Sequence, residues 1–424
     1  MRVLLVGGGG REHALAWGLK RSRAVEELVC APGNAGIAEL ARCVPVRADE
    51  LAKLADLADA ERADLVVVGP EAPLCAGLAD LLASRGRAVF GCSRAAAELE
   101  GSKAFAKAFM ARHAVPTAAF GVFSEAPEAE LFIDAQFDRG ARRLVVKADG
   151  LAAGKGVVLC DSADEARRAM RSFVDEGALG AAGRRVVIEE FLVGREASLM
   201  ALCDGERVTP LAPAEDHKTI FDGDEGPMTG GMGTVSPTPV LDDVTVARAV
   251  REVLEPTARG LVAEGRPFRG LLYAGLMLTA AGPRVLEFNC RFGDPETQVI
   301  IPRLDEDLAE LLHAVACGKM PQHVRFKRES AVCVVMASAG YPASSPSEAA
   351  EIRGLAEAAR LDGVTVFHAG TKRDGDRVLT AGGRVLGVTA LGEDVAAARA
   401  RAYAAVAKIE FQGAQYRRDI GARP

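Results

Sequence analysis

The chain has 424 residues, of which 49% are hydrophobic and 26% charged, and a formal net charge of −6. That length exceeds a single core and predicts two to four domains, with the composition of an ordinary globular protein. The acidic balance, without a basic run or an aromatic-interleaved patch, argues against a nucleic-acid partner, and no apolar run approaches the roughly 20 residues of a membrane span.

The amino terminus runs directly into a strand pattern, so neither a signal peptide nor an anchor is expected. Residues 1 to about 100 alternate strand patterns at 3–6, 28–31, 65–68 and 88–90 with helix patterns at 12–20, 51–60 and 78–84. This alternation predicts a parallel, doubly wound sheet. Three loops, Gly7-Gly-Gly-Gly10, Pro32-Gly-Asn-Ala-Gly36 and Gly69-Pro-Glu-Ala-Pro-Leu74, leave the carboxyl ends of those strands and share the edge where such sheets bind ligands. A dinucleotide site does not fit: G-x-G-x-x-G needs a small residue where Glu12 or His13 stands, and Ala31-Pro32 occupies the place of a ribose-binding acid. A glycine loop before a helix is a general phosphate seat, and a sugar phosphate is expected there; a turn that merely packs is the other reading.

Ser102 caps an expected helix over 103–113, and Lys103 stands in its first turn, where the helix dipole gives a lysine no support. Two apolar strand runs flank residues 148–156, a stretch of small residues with Lys147 and Lys155 at its ends. Small side chains let backbone amides approach an anion. Because a strand follows rather than a helix, this is not a P-loop, and a hairpin loop closing over phosphates is expected. A helix is expected near 163–176. The next apolar run ends in Glu189-Glu190-Phe191-Leu192, with Glu196 six residues beyond Glu190; exposed backbone there can pair with an adenine edge and the carboxylate can accept ribose hydroxyls. Asp216-His-Lys218 leads into 221–233, which has five glycines and three acids and is read as one long functional loop.

A helix near 240–264 and a hairpin, 271–278 with 284–290, deliver Arg284-Val-Leu-Glu-Phe-Asn-Cys-Arg-Phe-Gly-Asp-Pro-Glu-Thr297. Strand alternation turns Leu286, Phe288 and Cys290 to one face and Glu287, Asn289 and Arg291 to the other. Carboxylate, amide oxygen and guanidinium in a row suit a hard cation and a polyphosphate, although a solvated sheet face has the same pattern. Beyond Phe326 strands are expected at 331–337, 364–369, 378–379 and 384–391 and a helix at 395–408, a small β-rich unit without recognisable chemistry. The nine cysteines are scattered without a C-x-x-C and read as reduced packing residues of a cytoplasmic protein.

Lys147-Ala-Asp-Gly-Leu-Ala-Ala-Gly-Lys-Gly156 and Glu287-Phe-Asn-Cys-Arg-Phe-Gly-Asp-Pro-Glu-Thr-Gln298, with Gly9-Gly-Arg-Glu-His-Ala14, Val67-Val-Gly-Pro-Glu-Ala-Pro-Leu74, His368-Ala-Gly-Thr371 and Arg418-Asp-Ile-Gly421, give the chain an end-to-end resemblance to the glycinamide ribonucleotide synthetases of the ATP-grasp superfamily. The resemblance implies a multidomain α/β and α+β protein: a doubly wound N-terminal domain (1–101), an ATP-grasp core (102–326, with a lid at about 118–192) and a β-rich C-terminal domain (327–424). It implies a cytoplasmic monomer that uses ATP and magnesium (or manganese) to ligate glycine to 5-phosphoribosylamine.

The same resemblance implies residue roles. Lys103, Lys147, Gly154, Lys155 and Gly156 hold ATP phosphates, Glu190 and Leu192 face adenine, and Glu196 faces ribose. Glu287 and Asn289 hold the metal, and Arg291 and Asp294 face the reacting groups. Gly9, Gly10, Asn34 and Glu71 contact phosphoribosylamine, with Asp216 and Lys218 also on the substrate side. Some positions depart from the family. Gly8 replaces a frequent asparagine, Met228, Thr234 and Val235 replace Asn, Ala and Tyr, and 272–278 lacks a carboxylate for a second magnesium.

Overall fold

The computed structural model describes residues 1–152, 156–344, 346 and 348–422. The first unit is the expected parallel sheet, in the order Arg42–Cys43, Glu27–Pro32, Arg2–Gly7, Leu65–Val68, Ala88–Phe90. Both faces of the central strand are covered, so Val3 to Val6 are all buried, and near-continuous apolar runs are what a doubly wound sheet requires. The chain enters at the middle strand and winds outward both ways, so its glycine loops meet at the point where strand order reverses.

Two helices here were not expected. Glu71–Ala76 lies where a proline-rich loop was read; Pro73 is in its first turn, where a missing N–H costs nothing, and Gly77 ends it at φ +95°. Arg94–Gly101 is capped by Ser93, whose side chain accepts from Ala96 N at 3.3 Å.

The core holds two antiparallel sheets. One runs Val208–Pro210, Arg195–Gly205, Phe268–Thr279, Gly282–Asn289; the other, with its own apolar core, runs Phe120–Phe123, Val186–Glu190, Leu144–Ala148, Val157–Cys160. The helical stretch near 240–264 divides into Asp243–Ala249 and Glu255–Ala263 around a π turn at Val250–Leu254. Pro256 lacks an N–H and its ring crowds the carbonyl four residues back, which the wider turn relieves.

The stretch 221–233 is not one loop. Thr219–Phe221 and Glu225–Met228 form a two-stranded hairpin. Gly233–Ser236 and Glu215–Asp216 join a five-stranded sheet with the C-terminal strands, in the order Glu215–Asp216, Gly233–Ser236, Ser330–Ala337, Arg384–Gly392, Val364–His368. The helix Val395–Val406 packs on this sheet. An additional short strand, Thr371–Asp374, pairs with Arg377–Thr380.

The first and last units meet at a histidine pair. His13 Nδ1 accepts from His368 N at 2.7 Å, so the ring is neutral with its proton on Nε2, and Phe367 stands edge-on to it at 5.6 Å. Burial first, then His368, holds His13 down to about 3; burial likewise holds His368 down to about 4. Both lie below the ordinary value, so the unfolded chain binds more protons under pH 6.5, and the stability present above that pH drains as pH falls toward 4. Between pH 7 and 5, urea denaturation should show the protein losing about 2 kcal/mol more unfolding free energy than its His13→Gln variant, which keeps an acceptor for His368 N.

Candidate active site

The strand Gly282–Asn289 forms the floor of a cleft, and its alternation is interrupted once. A bulge at Leu286 shifts the pairing between Gly275↔Glu287 and Leu276↔Val285. Val285, Phe288 and Cys290 therefore enter the core, while Leu286, expected beside them, packs instead with Leu192, Ala118 and Met277. Glu287 stands opposite Gly275, where a Cβ would come 3.3 Å from Glu287 Cγ.

Cations surround this carboxylate. Lys218 Nζ lies 3.5 Å from Glu287 Oε1 and 3.8 Å from Glu196 Oε2. Lys218 foremost, with Lys147, Lys103 and Arg291, overcomes burial and holds Glu287 down to about 2, although 40% of its side-chain surface is open to the cleft. Burial lowers Lys103 despite the pull of Glu287. Asn289 Oδ1 accepts from Arg291 Nη2 at 3.1 Å. Two oxygen donors on one strand face, Glu287 and Asn289, would suit part of the shell of one hard divalent cation. Among the described residues no group of three His, Cys, Asp or Glu could hold a metal, so the protein offers a half-built site.

A second wall of the cleft is assembled from helix and hairpin. Ser102 caps Lys103–Arg112 by accepting from Phe105 N, and it donates to Asp149 Oδ1 at 2.9 Å. The same oxygen accepts from Ala104 N at 2.7 Å, tying the base of the glycine-rich hairpin to the helix that carries Lys103. Lys103 Nζ donates to Gly150 O at 3.3 Å and Lys147 Nζ to Leu286 O at 3.2 Å. Gly156 O accepts from Ala148 N at the hairpin's close. Gly154 and Lys155 lie outside the described residues.

Sequence reading missed the support beneath these lysines. Glu189, only 2% exposed, pairs with Lys147 at 3.0 Å and Lys107 at 2.8 Å. Lys107 also donates to Thr117 Oγ1, which donates to Val285 O on the floor strand. Burial outweighs Glu189 and lowers Lys107 to about 8. The available signal was spacing, since Lys107 follows Lys103 by four residues on the same helix face.

At the far end of the cleft, Glu190 Oε1 accepts from Ala119 N at 2.9 Å and Arg284 Nη1 at 3.0 Å. Leu192, Leu286 and Met277 form an apolar slot beside it. Glu196, Ser198, Asp216, Lys218 and Tyr273 line an adjoining pocket. Asp216 Oδ1 is buried there without a hydrogen-bond partner, and burial together with Glu296 pushes its carboxyl well above the usual range.

The N-terminal edge closes the opposite end. Arg291 reaches Glu71 Oε2 at 3.3 Å and Glu100 Oε1 at 3.2 Å. Burial alone would raise Glu71, but Arg291 and Arg11 bring it below its ordinary value. The glycine loop is wrapped around a carboxylate: Glu12 Oε2 accepts from Gly9 N at 2.6 Å, and a Cβ on Gly69 would fall 2.2 Å from Glu12 Oε1. Asp294 lies over Gly9 and Gly10, with Oδ2 and Oδ1 each 3.6 Å from where a Cβ on those glycines would stand. Asn34 lies at this edge with its amide already used, donating to Gly8 O and His368 O and accepting from Gly36 N and Ile37 N. The C-terminal unit, expected to carry no chemistry, contributes Arg384, which lies 3.3 Å from Asp294 Oδ2.

Glu189 pairs with two buried lysines, and removing one partner of a buried pair leaves an uncompensated charge. Glu189→Ala should therefore cost about 3–5 kcal/mol in chemical denaturation; a loss below 1 kcal/mol would show that Lys107 and Lys147 do not depend on it.

Three family models match successive stretches of the chain. The N domain of phosphoribosylglycinamide synthetase matches residues 1–100, its ATP-grasp (A) domain residues 101–297 and its C domain residues 331–423. The chain is 51% identical to the phosphoribosylamine–glycine ligase of Brucella melitensis over 424 residues, covering all of this chain and 98% of the relative. It is 50% identical to the Caulobacter vibrioides ligase, again covering all of this chain and 98% of the relative. The crystal structure of the Thermotoga maritima phosphoribosylamine–glycine ligase superposes with a TM-score of 0.85 at 34% identity, covering 99% of this chain and all of the other. The biotin carboxylase domain of a Hydrogenobacter thermophilus 2-oxoglutarate carboxylase, solved with MgADP and bicarbonate, shares the fold at a TM-score of 0.73 and 17% identity, covering 98% and 91%. From the glycine loop to the C-terminal sheet, the chain belongs to the phosphoribosylglycinamide synthetase family.

Proposed function

We propose that this protein is a carbon–nitrogen ligase of purine biosynthesis, joining glycine to 5-phosphoribosylamine through glycyl phosphate with conversion of ATP to ADP. One observation carries the reading: the Arg291 guanidinium touches Asn289 on the floor and Glu71 on the N-terminal edge, so the nucleotide and sugar-phosphate sites meet at one group. The family match and end-to-end relatives support the same activity.

Leu192, Leu286 and Met277 give adenine an apolar slot, with the Glu190 strand end beside it and Glu196 for the ribose. Lys103 and Lys147, with the glycine-rich hairpin above them, hold the phosphates. Glu287 and Asn289 hold the divalent cation, magnesium by preference, which when bound screens phosphate charge and orients the γ-phosphoryl group.

A glycine carboxylate oxygen attacks the γ-phosphorus as the bond to the β–γ bridging oxygen breaks, releasing ADP. Two anions must meet for this step, and Lys218 and Arg291 lower the repulsion between them. The amine of phosphoribosylamine, seated over Gly9 and Gly10 beside Asp294 and Glu71, then attacks the acyl carbon; phosphate leaves and the nitrogen loses a proton. Water would hydrolyse the acyl phosphate, which gives the hairpin loops a reason to close. The nine free cysteines, six of them buried, suit a reducing cytoplasm.

The deciding assay follows ADP release with magnesium, glycine and phosphoribosylamine generated in place, each omitted in turn. Release should require glycine and stop when EDTA removes the metal; release that ignores glycine would overturn the reading. Glu287→Gln should keep the wild-type circular dichroism and lower ADP formation about 100-fold or more. Turnover near wild type would remove Glu287 from the metal site.

A further inference from the structure

Arg384 opens the strand Arg384–Gly392 in the C-terminal sheet, yet its side chain leaves that sheet for the cleft. Nη1 donates to Asp294 O at 2.7 Å and to Gly230 O at 2.6 Å, while Nη2 lies 3.3 Å from Asp294 Oδ2. Gln298 Nε2 donates to the other carboxylate oxygen of Asp294 at 2.8 Å. Both oxygens are thus directed, and the group they fix stands over Gly9 and Gly10.

The second acceptor matters as much. Gly230 is also held through its N–H by Tyr341 OH at 2.9 Å, and Gly231, at φ +109°, comes so close that a Cβ would fall 2.7 Å from Asp216 Oδ1. The residues flanking this turn bind the Asp216–Lys218 segment: Thr229 N donates to Lys218 O and Met232 N to His217 O. One guanidinium therefore spans two segments that carry reacting-side residues and belongs to neither. A planar fork with five N–H donors can do this, whereas an ammonium point charge cannot hold the same set of directions.

We propose that Arg384 is a positioning residue for amide formation: it fixes the Asp294 carboxylate as the acceptor for the amine of phosphoribosylamine and sets the Gly230–Gly231 turn against it. The C-terminal unit then completes the second half of the reaction rather than the nucleotide site. This rests on the ligase reading above. Asp294 is kept below its ordinary carboxylate value, since Arg384, Arg11 and Arg291 outweigh burial, and it is thereby suited to accept a hydrogen bond from the amine.

The test compares wild type with Arg384→Gln and Arg384→Lys at full length, measuring ADP, amide product and the KM of each substrate. Arg384→Gln should raise the KM for phosphoribosylamine about 10- to 100-fold, as expected for a misplaced orienting group. It should lower the amide formed per ADP and leave the KM for ATP within about twofold. Arg384→Lys, which keeps the charge and one contact, should recover part of the amide-to-ADP ratio. If Arg384→Gln does not fold, the same shift in Arg384→Lys decides the matter. An unchanged KM for phosphoribosylamine with an unchanged product ratio overturns the proposal. So does an equal rise in the KM of ATP and phosphoribosylamine, which a general loss of structure would produce. A wild type without glycine-dependent ADP release would instead sink the ligase reading itself.

Discussion

One carboxylate facing four cations governs this structure. Glu287 looks toward Lys218, Lys147, Lys103 and Arg291, which together outweigh burial and hold its carboxyl down to about 2. Like charges brought together in a partly desolvated space repel one another, so such a cluster favours binding of a polyanion. Glu189 limits that repulsion by pairing with Lys147 and Lys107 below the surface.

The fold distributes this cluster over independent elements. The floor strand supplies Glu287, Asn289 and Arg291, the capped helix supplies Lys103, the hairpin sheet supplies Lys147, and the segment ahead of a two-stranded hairpin supplies Lys218. Asp149 ties helix to hairpin, Thr117 ties the hairpin side to the floor, and Arg384 ties the floor's far end to the C-terminal sheet. A site divided in this way can admit three substrates and still exclude water after closure.

The N-terminal loop shows how a familiar motif is redirected. Its glycines are packed around Glu12, which occupies the space a dinucleotide pyrophosphate would need next to Gly7 and Gly69. The loop borders Asp294, whose carboxylate lies over Gly9 and Gly10.

Sequence by itself determined the elements whose cause is local. Alternating apolar residues named the floor strand and its polar face, buried runs named the parallel sheet, and Ser102 marked the start of its helix. It also brought Glu287, Asn289 and Arg291 together as candidates, because they lie within five residues of one another. Tertiary structure alone decided which distant groups meet. Arg291 and Glu71 are separated by 220 residues, Arg384 and Asp294 by 90, and such pairs leave no periodic trace in the chain. The bulge that turns Leu286 into the cleft, the helix over Glu71–Ala76 and the strand over Gly233–Ser236 were likewise set by packing. Local propensity favoured a plain alternation, a proline loop and a glycine loop at those places. Long-range pairing outweighed it because burial and satisfied backbone groups are worth more than local preference.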